Sequence, residues 1–491
     1  MQQNITISDV APITPTAYMK SRFHGGRAKC LQRLLRLEMP LPTTVALCFS
    51  TVKRIADGRA PDLDAILAPF AEGALLSVRP SSENADWGGP AAVLNIGMND
   101  ARHAALATDV GEKAATALYL RFIHAYALNV ARLDVDEFPA VDAETPGALA
   151  AALTAYEDQA EEAFPQDIRV QLSSVLRAMS RAWEGTSARL LRQAQGAPAD
   201  AGLGLVVQAM ALGVGQGESG SGVIQFVDPE TGHPQITGRY LSQSQGREAL
   251  GRPGALYLTR DPRGPSLQDR APEVFEKLLG LGVTARRHLR EEMQIEFTIE
   301  NGSLAILDAV RVPRASRASV KIAVSMAEDG IIDRAEAVRR IEPKALSELL
   351  HSQVAPSARR DLIAAGIAAS PGAASGRVVF SSTEAQASAA RGEPCVLVRR
   401  ETGPEDIRGM HAAQAVLTER GGITSHAAVI GRGFGLPCVV GASEIRVNDS
   451  KRIFRVGGRR FAEGDVITVD GTTGQVLAGT TELTKAGLDE S

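Results

Sequence analysis

The stretch GGITSHAAVIGRGFGLPCVVG, Gly421 to Gly441, decides how this chain is read. A glycine pair leads through Thr424 and Ser425 to one histidine, His426, and an apolar helical segment follows at once. Gly421 and Gly422 reach backbone angles closed to other residues, so a tight turn there aims what comes next. Ser425 is a good N-cap, which predicts a helix with His426 in its first turn. That end of a helix carries unpaired N–H groups and positive partial charge, a place for a phosphate. Thr424 and Ser425 add hydroxyl donors, and Arg432 adds a cation to balance the charge. A neutral imidazole so placed can attack phosphorus and have the resulting anion held around it. A lone histidine is more often a structural residue, and His411 in Gly-Met-His-Ala-Ala is expected to be one, buried in the core. His426 is set apart by the string around it.

That string resembles the phosphohistidine motif of the phosphoenolpyruvate-utilising enzymes, most closely the pyruvate, phosphate dikinases. The stretch before it, ETGPEDIRGMHAAQAVLTERGG (Glu401 to Gly422), is similar to the same family. Around it, Ile367 opens a self-contained strand and helix pattern that closes with hairpins over Arg459 to Leu477. A hinge is expected over Pro356 to Ala365, and a disordered tail after Gly479.

Working back toward the N-terminus, Val45 to Phe49 and Leu75 to Arg79 read as strands, and Ala28 to Leu37 as a helix stopped by Met39-Pro40. From Ala101 to about Gln195 the pattern is Ala-rich and periodic at the helical repeat. Strands return at Leu205 to Ala211, Gly222 to Phe226, Gln235 to Tyr240, Met293 to Ile299 and Ser303 to Asp308. Asn301-Gly302 between the last two is a hairpin signal. Asp333 and Glu336 fit a helix-capping pair.

The resemblance continues through this half. SVRPSSENADWGGPAAVLNIGMND (Ser77 to Asp100), GESGSGVIQFVDPETG (Gly217 to Gly232), EFTIENGSLAIL (Glu296 to Leu307) and KIAVSMAEDGIIDRAEAVRRIEPKALSELLH (Lys321 to His351) are similar to family segments. It implies an α/β and α+β multidomain chain: an ATP-grasp-like nucleotide domain with a helical insertion, then a swivelling phosphohistidine domain of β/β/α type. The implied divisions are 1–100 and 196–312 for the two nucleotide subdomains and 101–195 for the helical insertion. A helical linker at 313–366, the histidine domain at 367–480 and a tail at 481–491 follow. It also implies ATP or another nucleotide as donor, with Arg27, Arg79, Gly217, Gly220, Gly222, Glu296 and Asp308 around it. The segment Gly217 to Gly222 stands where the family has its phosphate loop. Read alone, such a loop is also a flexible turn, Arg79 a surface ion pair, and Glu296 a solvent-facing strand residue.

Several family positions differ here. Gly-Gly-Lys-Gly becomes Gly25-Gly26-Arg27-Ala28, and Arg does not replace Lys freely in a tight site. The Arg before Asn-Pro becomes Val227, the Glu of Asn-Ala-Gln-Gly-Glu becomes Arg247, and an Asp becomes Gln294. Gln-Thr-Arg becomes Asp308-Ala309-Val310. Weak nucleotide turnover is therefore expected, or a rebuilt site in which Glu296 and Asp308 share Mg2+. The resemblance stops before the family's pyruvate-holding barrel, so the expected acceptor lies outside this chain. It is a small molecule or a protein, with a separate barrel-containing chain as one option and a homo-oligomer as another.

The bulk numbers narrow the classes. The chain has 491 residues, 44% of them hydrophobic and 22% charged, enough for several cores. A net charge of −4 gives no reason to expect nucleic acid or an anionic membrane as partner. No leader or membrane span is read, and Cys30, Cys48, Cys395 and Cys438 lack metal-ligand spacing, so a cytoplasmic protein with reduced thiols is expected. Two functional readings stand. One is a phosphotransferase passing a phosphoryl group from a nucleotide through His426 to its acceptor. The alternative is a phosphocarrier or regulatory pseudo-enzyme with a degraded ATP site.

Overall fold

Antiparallel ladders organise the first half of the chain, and parallel crossovers organise the end of it. The computed structural model describes residues 8–134, 138, 143, 145–194, 196–245, 254–343, 346, 351–423 and 425–484, the side chains of 86 and 194 excepted. The chain divides into two units, Met1–Asp228 with Pro234–Pro313, and Pro229–His233 with Arg314–Ser491.

In the first unit, strands β1 (Val10–Pro12), β2 (Thr44–Leu47), β3 (Leu76–Ser82), β4 (Val93–Ile96) and β5 (Leu203–Ala209) form a sheet of order β1-β2-β5-β3-β4. Strands β6 (Gly220–Val227), β7 (Pro234–Ser242), β8 (Met293–Glu300) and β9 (Ser303–Arg311) form a second, of order β7-β6-β8-β9. Both are antiparallel throughout. Asn301 and Gly302 both take positive φ, 50° and 79°, as a two-residue hairpin loop of this hand requires.

The helix Ser21–Arg36 packs on β3, β5 and β9 and so touches both sheets. Its Ala28, Leu31 and Leu34 share a core with Val206, Ile224 and Phe297. The helix kinks at Gly25, whose φ is +85°. A Cβ there would run into the Ser81 carbonyl oxygen, so only glycine lets helix and β3 approach this closely. Ser81 Oγ then accepts from Ala28 N at 3.1 Å and donates to the His24 carbonyl at 2.7 Å, capping the turn from outside the helix.

The helices between β4 and β5, including Glu112–Tyr126 and Ile168–Glu184, are not a core of their own. Leu118, Phe122, Leu172 and Val175 pack with Val45, Val78 and Leu205 of the first sheet. Among the described residues, no helix is long and apolar enough to cross a membrane.

The second unit opens with helices Ser316–Glu328 and Arg334–Arg339. Asp333 Oδ1 accepts from Glu336 N at 2.7 Å, the cap that the sequence signals. A short pair follows, β10 (Gln353–Val354) against a strand near the C-terminus. The main sheet uses β11 (Leu362–Ala365), β12 (Ile367–Ser370), β13 (Ala373–Val379), β14 (Cys395–Arg399), β15 (Ala415–Thr418) and β16 (Cys438–Val440). A small sheet holds β17 (Arg446–Asn448), β18 (Ile453–Val456) and β19 (Arg459–Ala462). Strands β20 (Val466–Asp470) and β21 (Gln475–Ala478) complete the main sheet in the order β11-β21-β20-β13-β14-β15-β16-β12, and β22 (Leu483–Thr484) pairs with β10.

Two expectations change here. Leu362–Ala365, expected within the hinge, is a strand paired with β21. The tail expected to be disordered contributes β22, while 485–491 lie outside the described residues.

Strands β13 to β16 are parallel, and the runs Cys-Val-Leu-Val in β14 and Ala-Val-Leu-Thr in β15 are continuous and buried, as parallel strands covered on both faces must be. One face carries Val396, Val398 and Leu417 against Phe454 and Phe461 of the small sheet. The other carries Leu397, Val416 and Cys438 against Met410, Ala427 and Ala428 of the helices. The layers are therefore sheet, sheet and helix.

Candidate functional site

Parallel crossovers put ligand-handling loops at the carboxyl ends of their strands. Here the segment after β14 carries Thr402, and the segment after the adjacent β15 leads into the helix His426–Phe434. Gly421 has φ +120°, the turn that the glycine pair was expected to supply. Small Ala427 and Ala428 let the helix sit close on the sheet, with His426 in its first turn. The first-turn N–H groups have no intrahelical partner, so this end is a place for an anion.

His426 is half-buried, where full exposure was expected. Its Nδ1 lies 3.4 Å from Thr402 Oγ1, the contact that orients the ring. With Nδ1 engaged there, Nε2 is the nitrogen left for chemistry. Thr402 is itself 6% exposed, and Arg399 before it and Gly403 after it are hydrogen-bonded. Asp406 accepts from Gly403 N at 3.1 Å and from Arg399 Nε at 3.3 Å, and Arg399 Nη1 donates to the Phe380 carbonyl at 2.9 Å. The motif Glu401-Thr402-Gly403-Pro404 is visible in the sequence, yet nothing in its spacing assigns Thr402 to His426.

The other expected partners behave differently. Ser425 stands at the N-cap position, but its side chain makes no capping bond, and its buried Oγ has no partner among the described residues. Arg432 does not stand free beside the imidazole. Its Nη1 donates to the Ala369 carbonyl and its Nη2 to the Ile423 carbonyl, each at 3.0 Å, so it ties the loop before the helix to β12. Thr424 lies outside the described residues. His411, expected to be buried, is exposed and meets Phe434 edge to face with ring centres 5.3 Å apart. It sits in the last turn of the short helix Ile407–Ala412.

Replacing Thr402 by Val removes one hydrogen bond to His426, of about 1 kcal/mol, and is expected to slow a reaction at Nε2, tested below by labelling, about fivefold. Thr402→Ser restores the rate, which a purely packing role would not do. The measurement is the initial rate of label uptake.

In the first unit the structure brings four of the predicted residues together. Glu296 and Asp308 are cross-strand partners on β8 and β9. Arg27 Nε binds Asp308 Oδ2 at 2.8 Å, and Arg79 Nη1 binds Glu296 Oε2 at 3.0 Å. Arg27 Nη1 also donates to the Pro80 carbonyl. All but Arg27 are nearly or wholly sealed, and Asp308 has no exposed surface. Burial acts to raise the Asp308 pKa, but the charges of Arg27 and Arg79 outweigh it and hold the carboxyl below its usual range. A cavity of about 270 Å3 opens beside Arg27, walled by Gly26, Ser81, Ser82, Val310 and Arg311.

Two departures from the resembled family pattern, Arg27 and Asp308, are thus each other's partners. A third, Gln294, accepts from Gln225 Nε2 at 2.6 Å, and Val227 is buried. Arg247 lies outside the described residues. The carboxylates expected to share Mg2+ are each taken by an arginine, and no group of three metal-ligating side chains occurs among the described residues. Magnesium wants several oxygens at once, and this donor set does not fit it.

The glycines are also placed otherwise than expected. Gly220 and Gly222 lie in β6, paired on both sides, so their backbones are committed to the ladder. A Cβ at Gly220 would meet the Tyr240 ring, and one at Gly222 the Phe297 ring; these rings stack at 6.1 Å. Packing accounts for both glycines. Gly217 lies in the preceding loop, where its N donates to Asn301 Oδ1 at 3.1 Å. Val223 is the residue paired with Glu296, so Gly220 lies roughly 10 Å along the strand from the charge cluster.

The chain is similar to known proteins along most of its length. Residues 391–474 match the family model described as PEP-utilising enzyme, mobile domain. The chain is 39% identical over 430 residues to pyruvate, phosphate dikinase of Rhizobium meliloti (strain 1021), covering 82% of this chain and 48% of that protein. It is 36% identical over 438 residues to pyruvate, phosphate dikinase of Clostridium symbiosum, covering 85% and 50%. It is 34% identical over 433 residues to pyruvate, phosphate dikinase 2 of Zea mays, covering 84% and 48%. The chain spans about half the length of the curated relatives it matches.

Proposed function

From a chain that is pyruvate, phosphate dikinase-like over most of its length, we propose a phosphotransferase that carries a phosphoryl group on His426 Nε2. The observation that supports this best is the half-buried imidazole in the first turn of its helix, with Nδ1 against Thr402 and Nε2 left over. The Nε2 lone pair attacks phosphorus, and the bond to the donor oxygen breaks with its electrons leaving on that oxygen. Nδ1 keeps its proton toward Thr402, and the helix N-terminus holds the phosphoryl oxygens. In the second step an acceptor oxygen loses its proton, attacks the same phosphorus and releases neutral imidazole.

The donor in this reading is ATP or another nucleotide, held in the first unit as in an ATP-grasp-like domain beside Arg27 and Arg79. The acceptor is bound outside this chain. Nucleotide phosphates have to compete with Asp308 for Arg27, which supports weak nucleotide binding. The same closed pairing is the one observation that favours the second reading, a phosphocarrier loaded by a partner.

The test is incubation with γ- and β-labelled ATP, with and without magnesium, and in parallel with labelled phosphoenolpyruvate. Base-stable, acid-labile label from either donor is expected, slow from ATP. Absence of label from both overturns the proposal. Tight nucleotide binding by calorimetry with rapid labelling overturns the weak-site part alone.

A further inference from the structure

Arg192 has no ion-pair partner among the described residues, and the charge of Glu184 acts on it only from beyond ion-pair distance. It lies on the helix Thr186–Ala194 and is 6% exposed. Its guanidinium carbon sits 3.6 Å from the centre of the Trp183 ring, and its Nη1 donates to the Trp183 carbonyl at 2.7 Å. Trp183 is fixed in turn, with Nε1 donating to the Ala201 carbonyl at 3.1 Å. The carbonyl end of the helix Ile168–Glu184 supplies only a partial negative charge. Glu184, the nearest acid in sequence, is already shared by Lys53 at 3.3 Å and Arg189 at 3.6 Å. No carboxylate lies within ion-pair distance of Arg192 among the described residues.

A buried guanidinium without an anion is costly. Burial draws the Arg192 pKa down, and the charge of Glu184 offsets this only in part. The cap accounts for Nη1 but leaves Nε and Nη2 without hydrogen bonds among the described residues. Neither nitrogen is sealed, and Arg192 lines a cavity of about 480 Å3. Phe49, Lys53, Trp183, Arg189 and two carboxylates, Glu184 and Asp200, line it too, with Glu184 held by Lys53 and Arg189. Asp200 is exposed and pairs with none of the cations among the described residues. Cavities of this size commonly take a small organic ligand.

We propose that this cavity binds a small organic oxyanion, a carboxylate or phosphate monoester on a flat body. Arg192 Nε and Nη2 form a fork for two of its oxygens, Lys53 stands at the rim, and the flat body lies against Phe49. This site is separate in chemistry from His426 and does not rest on phosphoryl transfer.

The chain has two tryptophans, so a Trp87→Phe background leaves Trp183 as the reporter. Benzoate and phenyl phosphate are titrated while Trp183 fluorescence is followed, with phenol as the neutral control. Saturation by at least one anion and not by phenol is expected. Saturation by both assigns recognition to the oxyanion, and saturation by phenyl phosphate alone assigns it to the monoester. Arg192→Gln is expected to weaken binding about tenfold or more, the effect of losing a charge-assisted bond. Lys53→Gln, more than half exposed and safe for folding, is expected to weaken it about threefold. His426→Ala leaves it unchanged. No saturation by either anion, equal binding of phenol, or parental affinity in Lys53→Gln together with Arg192→Gln overturns the proposal. Should Arg192→Gln fail to fold, parental affinity in Lys53→Gln is enough.

Discussion

His426→Ala is expected to reduce base-stable, acid-labile phosphate on the protein to background, a loss on the order of a thousandfold or more in rate, because the nucleophile itself is removed. His411→Ala is expected to label within about twofold of the parent, as surface changes away from a site do. Burial cannot separate the two histidines, since His411 is the more exposed. Position on the helix separates them. His426 is in the first turn of its helix, where partial positive charge favours a phosphoryl dianion. His411 is in the last turn of a short helix, where the partial charge is negative. Of these two, His426 alone has a hydroxyl at its Nδ1 among the described residues. Label surviving in His426→Ala and vanishing in His411→Ala would reverse the assignment.

How far this site could be read from the chain follows from the range of its contacts. The Gly421 turn, the helix start at His426 and the Asn301-Gly302 hairpin are local, and local signals reveal them. The Ser425 position is local and was legible, but whether its hydroxyl points at the helix or away is set by packing. Thr402 reaches His426 only because β14 and β15 are adjacent and parallel, a fact of topology rather than of spacing. The Arg27–Asp308 pair spans 281 positions, beyond any periodicity. Leu362–Ala365 shows no turn or strand boundary by composition; pairing with β21 over a hundred residues later makes it a strand. Gly220 and Gly222 mislead for a related reason. Glycines beneath aromatic rings and glycines around a phosphate are identical in sequence, and only Tyr240 and Phe297 tell them apart.

Arg27→Met is expected to destabilise the chain by about 3–5 kcal/mol, because it leaves a buried carboxylate without its main cation. In a unit of this size that lowers the melting temperature by on the order of 10 °C. The pair itself is worth far less than its breakage. Arg27→Met/Asp308→Leu removes both charges and is expected to recover to within about 1–2 kcal/mol of the parent, since matched apolar groups often replace a buried pair at little cost. The pH dependence carries a sign. The Asp308 pKa is lowered in the folded protein, so its contribution is fully present above the unfolded value of about 3.9 and is lost as pH falls through the lower folded value. The stability difference between the parent and Asp308→Asn is therefore expected to be flat through neutral pH and to shrink only below about pH 4. Chemical denaturation of the four proteins across pH measures this. A double variant no more stable than Arg27→Met, or a difference that changes between pH 5 and 8, would show that the carboxylate answers to another charge than Arg27. That result would also remove the reason for placing Asp308 in competition with nucleotide phosphates.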